Sequence, residues 1–452
     1  MLIPMSTKIP SAKNSSTNKA TARPAPFLPA LEGLRAIACS GIIITHVAFQ
    51  TGADTGNLLN RMMARTDFFV PVFFALSGFL LWRRHRADFA VSTSHDNLLT
   101  LAGYYVKRLG RIFPAYLVTV AIVLLFFPVA GAPTVWQMLS NVIMVQIYVD
   151  GGLIGGLTHL WSLCVEMAFY LVLPVIAVAW GRQERKWRIV CIVAVAAASF
   201  GWAFIPAFAE PPAPGGLNPH IMPPAFIAWF GVGLLGAELE SIVQDRAYAR
   251  TGKDGAEGID ARYQLPEVRA IAKFRWVFWL LAIGALAVAA SDGPEGLTHA
   301  APAEFARRTL YGLVFAAALI IPYTLAPRSK FLESAPMQAL GRWSYAIFLW
   351  HMSLLSLVFP LLGVHLFSGH TALVLVATFV LSVPVAALSY ALVEEPARRA
   401  INSWWRSVRA STKTEARTEA TTASSTTASA PFTTNPPCLL YTSDAADDST
   451  EV

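Results

Sequence analysis

Apolar runs of roughly 18 to 25 residues recur along the chain, each about the length a helix needs to cross a hydrocarbon core of about 30 Å. Ten spans are predicted, at 29–50, 66–83, 112–130, 157–180, 188–206, 223–240, 274–290, 307–325, 340–363 and 371–393. Strand-like alternation is absent from them, so the pattern predicts helices and not the walls of a barrel. A shorter apolar stretch, TVWQMLSNVIMVQIY at 134–148, carries Gln137, Asn141 and Gln146 and is expected to be a re-entrant or interfacial helix. The expected fold class is all-α, a polytopic membrane helix bundle of about ten transmembrane helices.

The polar positions between the spans set the orientation, because Lys and Arg collect on the cytoplasmic side. WRRHRADF after the second span, YYVKRLGR before the third, GRQERKWR at 181–188, the charged loop 241–275, PRSK at 327–330 and ARRAINSWWRSVR at 397–409 alternate with poorly basic loops. Both termini are therefore expected in the cytoplasm. Composition agrees with this picture: 55% of residues are apolar, only 14% are charged and the mean hydropathy is +0.50, which excludes an ordinary soluble enzyme. A net charge of +7 follows from the loop asymmetry and from contact with an anionic lipid bilayer, so a nucleic-acid partner is not called for.

Cys39, Cys164 and Cys191 fall inside predicted spans, which argues for packing and against a disulfide framework. Residues 1–28 are rich in Ser, Thr, Lys, Asn and Pro, lack the apolar core of a cleavable signal, and read as a disordered cytoplasmic segment. The first span is then expected to serve as its own uncleaved insertion signal. Residues 29–400 form the expected transmembrane domain, and 401–437 a cytoplasmic interfacial and low-complexity tail, disordered from Ser411 on. The last stretch, 438–452, contains CLLYTSDAADD, which resembles translated sequencing adapter and is set apart from fold reasoning.

The first span, LEGLRAIACSGIIITHVAFQ, carries Arg35 and His46 in an otherwise apolar run. Eleven residues separate them, about three helical turns, so they share one face and stand roughly 16 Å apart along the axis. Ionisable groups at such depth cost roughly 2.5–3.5 kcal/mol on insertion scales and normally face the bundle interior. Either they mark a site, or Arg35 snorkels to the interface while His46 bonds a neighbouring helix. On the fourth span His159, Ser162 and Glu166 fall at i, i+3 and i+7, one helical face. Ser162 there is either a nucleophile paired with His159 or a packing residue; an unpaired Glu166 is too costly to bury without a role. No HExxH, CxxC or Gly-rich phosphate loop occurs, so neither a metal site nor a standard nucleotide fold is expected.

Several strings occur in a fixed order: Glu32 and Arg35 with His46, FFALSGFLLW at 73–82, KRLGRIFPAY at 107–116, LWSLCVEMAFYLVLP at 160–174, LGRWSYAIFLWHMSL at 340–354 and VEEPARR at 393–399. Together they resemble the acyltransferase-3 family, membrane O-acyltransferases of sugars and cell-envelope glycans, over residues 27–400. The resemblance implies an acyltransferase moving groups other than aminoacyl, often acetyl, from cytoplasmic acyl-CoA (acetyl-CoA) to a hydroxyl of a glycan or glycolipid acceptor. It also implies a home in a bacterial cytoplasmic (inner) membrane. The family's Arg/His signature matches Arg35 and His46, its third-span preface matches Arg108 and Arg111, and its Trp-Ser-Leu…Glu motif matches Trp161, Ser162 and Glu166. Met167 and Ala168 stand where the family often has a second acidic residue and a Gln, which bears against a mechanism needing two carboxylates there.

O-acylation needs a base for the hydroxyl proton, and His, with a pKa of about 6.5, is suited to that near neutral pH. His46 is the candidate, with Glu166 the expected partner to fix its tautomer and Arg35 the third catalytic candidate. Arg108, Arg111 and Arg35 are expected to clamp the phosphates of acyl-CoA, although positive-inside anchoring accounts for the first two as well. Trp161, Ser162, Tyr345 and His351 are the substrate-binding candidates, His351 being either an acceptor contact or a structural hydrogen-bonder. If acyl-CoA enters beside the arginines, its pantetheine arm can carry the thioester along the polar track to His46. A proton-coupled secondary transporter is the competing class, since intramembrane Arg, His and Glu also suit a carrier. Against it stand the lack of an internal repeat and of paired Gly/Pro-broken spans.

Overall fold

The computed structural model describes residues 26–91, 94–213, 215–293 and 299–427. Expectations for residues 1–25 and 428–452 lie outside the described residues. Among the described residues ten helices are long and apolar enough to span a membrane: α1 (Pro29–Thr51), α2 (Leu58–Arg86), α3 (Leu98–Phe126), α4 (Thr158–Gly181), α5 (Arg185–Phe204), α6 (Pro223–Thr251), α7 (Arg275–Asp292), α8 (Pro302–Leu325), α9 (Ala335–Leu362) and α10 (Thr371–Thr412). No strand occurs among the described residues. The protein is thus a multi-pass helical membrane protein, as the run lengths predict.

Several helices outrun their expected apolar windows. α3 begins well before residue 112, because Lys107, Arg108 and Arg111 lower the hydropathy of a turn without breaking its hydrogen bonds, and it stops where Pro128 and Gly131 follow. α6 runs past residue 240 because its charges are paired. Glu238, fully buried, accepts from Arg188 Nε at 2.9 Å and Nη2 at 2.8 Å and from the Trp82 indole at 2.8 Å, with Arg86 at 2.9 Å. Glu240 pairs with Arg83 at 2.6 Å and Arg262 at 2.8 Å. Buried carboxylates of this kind persist only when so surrounded. Within α10 five residues, Tyr390–Glu394, form a π-helical segment that holds Glu394 buried, after which Glu395 pairs with Arg398. The bundle unit ends at Ile401, and the last helix is described onward to Thr427, into a stretch whose composition predicts disorder but whose Ala, Glu, Lys and Arg are good helix formers.

The stretch at 134–148 is a short helix, Val135–Val142, closed by a Thr134/Gln137 capping box, then a 3₁₀ turn at Gln146–Tyr148. Its polar groups are tied in: the Asn141 amide donates to Gly152 O at 2.7 Å, and Tyr116 donates to Asn141 O at 2.5 Å.

α1 packs along α9, α9 along α10, and α2 lies between α4, α6 and α8. α1, α2, α6, α8 and α9 are largely buried, whereas α5, α7 and α10 expose most of their apolar surface, as helices facing lipid do. Small residues set the closest crossings. A Cβ on Gly233 of α6 would stand 1.9 Å from Ala75 O of α2, and one on Gly341 of α9 would stand 2.3 Å from Glu32 O of α1. Helices without a hydrophobic drive between them associate through such close backbone approach.

Candidate functional site

Two cavities enter the bundle from opposite ends and share Val70 in their walls. Helix periodicity explains what faces each. On α1, Arg35 lines the cavity near the start of the helix, and His46, three turns on, lines the other. On α4 the adjacent residues Trp161 and Ser162 are divided between them, Trp161 with His46 and Ser162 with Arg35.

The arginine-side cavity gathers Arg35, Arg108 and Arg111 from α1 and α3, Glu166 and Tyr170 from α4, and Ser344 and Tyr345 from α9. Arg35 Nε donates to Ser344 Oγ at 3.2 Å, and the Arg108 guanidinium lies 5.8 Å from the centre of the Tyr170 ring. The Tyr345 hydroxyl donates to Ile112 O at 2.8 Å, which fixes α9 against α3. Glu166 accepts from the hydroxyls of Ser77 and Tyr170, themselves 3.1 Å apart. Three guanidinium groups around a pocket beside one hydroxyl-bonded carboxylate make a surface suited to a phosphorylated anion.

The opposite cavity, of about 450 Å³, is lined by His46, by Trp161, Phe226 and Trp229, and by the Asp67–Arg308 ion pair. Trp161 and Phe226 lie with ring centres 5.3 Å apart. His220 and His299 stack in its wall at 4.3 Å, and burial together with the His299 ring lowers the His220 pKa to about 4. Aromatic faces interleaved with hydrogen-bonding groups can hold a polyhydroxylated ring.

Between the cavities three imidazoles meet. His46 from α1 lies 5.2 Å from His351 of α9 and 6.2 Å from His159, and His159 lies 4.7 Å from His351, centre to centre. His159 and His351 are buried and His46 is half-buried. His351 Nδ1 donates to Phe348 O at 2.8 Å, which fixes its tautomer and leaves Nε2 as the lone-pair nitrogen.

Of the two readings of Ser162 the packing one is formed and the nucleophile pair with His159 is not, because His159 stands on a 3₁₀ turn, Thr158–Leu160, ahead of the regular helix from Trp161. That turn swings its imidazole toward α1 and α9, and Ser162 Oγ donates to the His159 carbonyl at 3.2 Å, a local helix bond. Nor does Glu166 partner His46: its carboxylate is engaged by Ser77 and Tyr170 in the other cavity, and imidazoles occupy the neighbourhood of His46. Arg35, Arg108 and Arg111 line one cavity, and His351 lies beside His46. His159 is the residue that sequence reasoning undervalued; its spacing from Ser162 and Glu166 was visible, the turn that redirects it was not. Among the described residues no group of three or more His, Cys, Asp or Glu side chains is arranged to hold a metal ion.

A family profile described as an acyltransferase domain matches residues 28–391, nearly the whole bundle. The chain belongs to the acyltransferase-3 family. Among relatives of this family, O-acetyltransferase OatA of Staphylococcus aureus (strain NCTC 8325 / PS 47) is 25% identical over 397 residues, covering 82% of this chain. The chain spans only 57% of that protein's length. Acyltransferase MdmB of Streptomyces mycarofaciens is 28% identical over 408 residues, 82% of this chain and 92% of its own. Nodulation protein 10 of Rhizobium leguminosarum bv. viciae is 28% identical over 359 residues, 73% of this chain and 82% of its own. No solved structure matches the chain.

Proposed function

We propose that this protein is a membrane O-acyltransferase that moves an acyl group, acetyl being the simplest, from acyl-CoA to a hydroxyl of a glycan or glycolipid, in a bacterial cytoplasmic membrane. The observation that carries this reading is the pair of opposed cavities, one lined by Arg35, Arg108 and Arg111 and the other by His46 and aromatic rings, which share Val70 in their walls. Family membership and relatives named for acyl and O-acetyl transfer support the reaction class. In this scheme the arginine side opens to the cytoplasm and its guanidinium groups hold the donor's phosphates. The pantetheine arm then brings the thioester toward the histidines, a reach of roughly 16 Å along α1. The acceptor lies against Trp161 and Phe226 in the other cavity.

His46 is the general base. It takes the acceptor's O–H proton as the oxygen attacks the thioester carbon; the C–O bond forms, the C–S bond breaks, and CoA leaves as a thiol once the proton is returned. Ser77 and Tyr170 hold the Glu166 carboxylate by hydrogen bonds in the wall of the cavity that the three arginines line.

The test is release of free CoA thiol from acetyl-CoA by the purified, detergent-solubilised protein with a panel of glycan acceptors, wild type against His46→Ala. Acceptor-dependent release that disappears in a folded His46→Ala variant is the expected result. Equal release by both proteins removes His46 from the mechanism, and no release with any acceptor overturns the enzyme reading in favour of a carrier.

A further inference from the structure

Charge in the aromatic cavity is confined to one pair. Among the described residues that line it, Asp67 is the one acid and Arg308 the one arginine or lysine, and each bonds the other. The bond is single, from Arg308 Nη2 to Asp67 Oδ2. Arg308 Nε and Nη1 bond none of the described residues, and Asp67 Oδ1 has no hydrogen-bond partner. The side chains stay 33% and 25% exposed. So open a pair adds little to stability, and it keeps most of its hydrogen-bonding capacity unused: further N–H donors on the guanidinium and further lone pairs on the carboxylate.

The pair is fixed beside the candidate base. Asp67 lies in a 3₁₀ turn, Arg65–Phe68, and α1 is bonded to the chain at that turn twice: Thr45 Oγ1 donates to Ala64 O at 2.5 Å, and Thr66 Oγ1 donates to Gly41 O at 2.8 Å. Thr45 immediately precedes His46, and both line the cavity. The rest of the lining includes a group of rings, Phe226 stacked on Trp229 at 4.5 Å and lying 5.3 Å from Trp161. Such faces suit the C–H side of a sugar, while a carboxylate joined to a guanidinium offers its hydroxyls an acceptor and a donor together. The charges near the pair cancel. Arg65, in the same turn, is within electrostatic reach of Arg308, Asp67 and Glu304, so two cations meet two anions and no net charge is left to favour an anionic ligand.

We propose that Asp67 and Arg308 select the acceptor by binding the hydroxyl next to the one that is acylated, so that the acceptor is a neutral ring carrying a vicinal diol. This rests on the acyl-transfer reading above. The ring lies against Trp161 and Phe226, the neighbouring hydroxyl donates to Asp67 and accepts from Arg308, and the reacting hydroxyl is thereby turned to His46. The pair makes and breaks no covalent bond; it determines specificity by fixing which hydroxyl meets the base. A ring without the neighbouring hydroxyl lacks that register, and one bearing a carboxylate in its place is repelled by Asp67.

The experiment gives the full chain in detergent acetyl-CoA and the methyl glycosides of glucose and N-acetylglucosamine, each with its monodeoxy analogues, and measures the acetyl ester formed. In wild type, removing one hydroxyl adjacent to the acetylated position lowers kcat/KM by about 10- to 100-fold, the effect of losing a hydrogen bond to a charged group. Asp67→Asn and Arg308→Gln bring the parent glycoside down to the level of that analogue, leave the analogue within about twofold of its wild-type rate, and leave KM for acetyl-CoA unchanged. Equal losses for parent and analogue, or no loss for either, overturn the proposal. The exchanged pair, Asp67→Arg with Arg308→Asp, separates recognition from clamping: it regains the wild-type melting temperature without regaining discrimination, and recovery of both refutes the reading role. A second readout needs no turnover. In saturation-transfer NMR of the same glycosides with the protein in nanodiscs, transfer to the ring protons beside the selected hydroxyl falls in Asp67→Asn, and unchanged transfer refutes the proposal. If no ester forms with any glycoside while transfer still depends on Asp67, the acyl-transfer reading fails and the diol site stands.

Discussion

Replacing Gly341 with alanine should damage the site without touching it. α1 and α9 cross so closely there that a Cβ would stand 2.3 Å from the Glu32 carbonyl oxygen and 2.9 Å from its carbonyl carbon. Ordinary contact begins near 3.4 Å, so the two helices must part by about 1.1 Å, since a helix carbonyl cannot swing aside as a side-chain end can. Overpacking of this size costs about 1–3 kcal/mol of stability. The functional cost is larger in proportion, because the same two helices carry Arg35 against Ser344 at 3.2 Å and His46 against His351 at 5.2 Å. A misplacement of about 1 Å in catalytic groups lowers rates by about 10²-fold. The assay is kcat/KM for acceptor-dependent CoA release, with thermal unfolding in the same detergent measured alongside. Gly284→Ala on the exposed side of α7 is the matched control, since its added methyl meets nothing within 4 Å and alanine is the better helix former by about 1 kcal/mol. Wild-type kcat/KM in folded Gly341→Ala, or equal losses in both variants, would refute the coupling of this crossing to the site.

Glu238→Ala strands Arg188, Arg86 and the Trp82 indole around a vacated position and should cost about 3–5 kcal/mol, read as a large fall in melting temperature; a shift of less than a degree or two sinks the reading of Glu238 as the hub of that network. His220 predicts a pH dependence of stability. Its folded pKa of about 4 lies below the ordinary 6.5, so the unfolded chain binds the proton more readily; the contribution is whole above about pH 6.5 and is lost as pH falls through about 4. His220→Gln should flatten the melting temperature over that window, and an unchanged slope contradicts the assignment. Arg108→Ala and Arg111→Ala should raise KM for acetyl-CoA and weaken its dependence on salt while leaving kcat near wild type; a fall in kcat at constant KM would assign these side chains to chemistry instead of donor binding.

Sequence made the bundle legible because each crossing needs one long apolar run, and ten runs became ten helices. The errors lay at the ends, where charge cuts a hydropathy window short but does not unwind a helix: the predicted span closes at residue 240, yet α6 runs on, with Glu238 and Glu240 paired to arginines drawn from α2, α5 and the segment after α6. For the site, periodicity was enough to set Arg35 and His46 three turns apart on the first helix, which lets them line two different cavities. It was not enough to pair residues across helices. Glu166 looked like the partner of His46 because a buried carboxylate demands one, yet Ser77 and Tyr170, ordinary apolar-helix residues in sequence, satisfy it locally. His159 was misplaced by a single 3₁₀ turn, a feature shorter than any periodic signal can report.

The separation of the two cavities has an electrostatic logic that the bilayer imposes. A guanidinium or carboxylate keeps its charge at neutral pH, so it is tolerated toward a helix end, where partners and water are close, and the arginines and glutamates of α2, α3 and α6 crowd toward one side accordingly. An imidazole can rest neutral, which makes it the one base among the common side chains that sits at mid-depth without a permanent counter-ion. A chain that must meet an anionic donor at one face and deprotonate a hydroxyl near the other is thereby driven to arginine at the first and histidine at the second. Two fixed groups of such different kinds cannot be brought together by the protein, because moving the arginines inward or the histidines outward would raise the cost of burial or lose the site's isolation from water. On the proposed reading the substrate closes the gap instead: the flexible, uncharged pantetheine arm is the part of the donor that can lie in the apolar wall while its phosphates stay with the arginines. That division predicts that a truncated donor, an acyl thioester of pantetheine without the nucleotide and its phosphates, will still react at His46 but with a much higher KM, and that Arg108→Ala and Arg111→Ala will leave its turnover unchanged. Full sensitivity of the truncated donor to both substitutions would place the arginines at the reacting atoms and end the argument for a divided site.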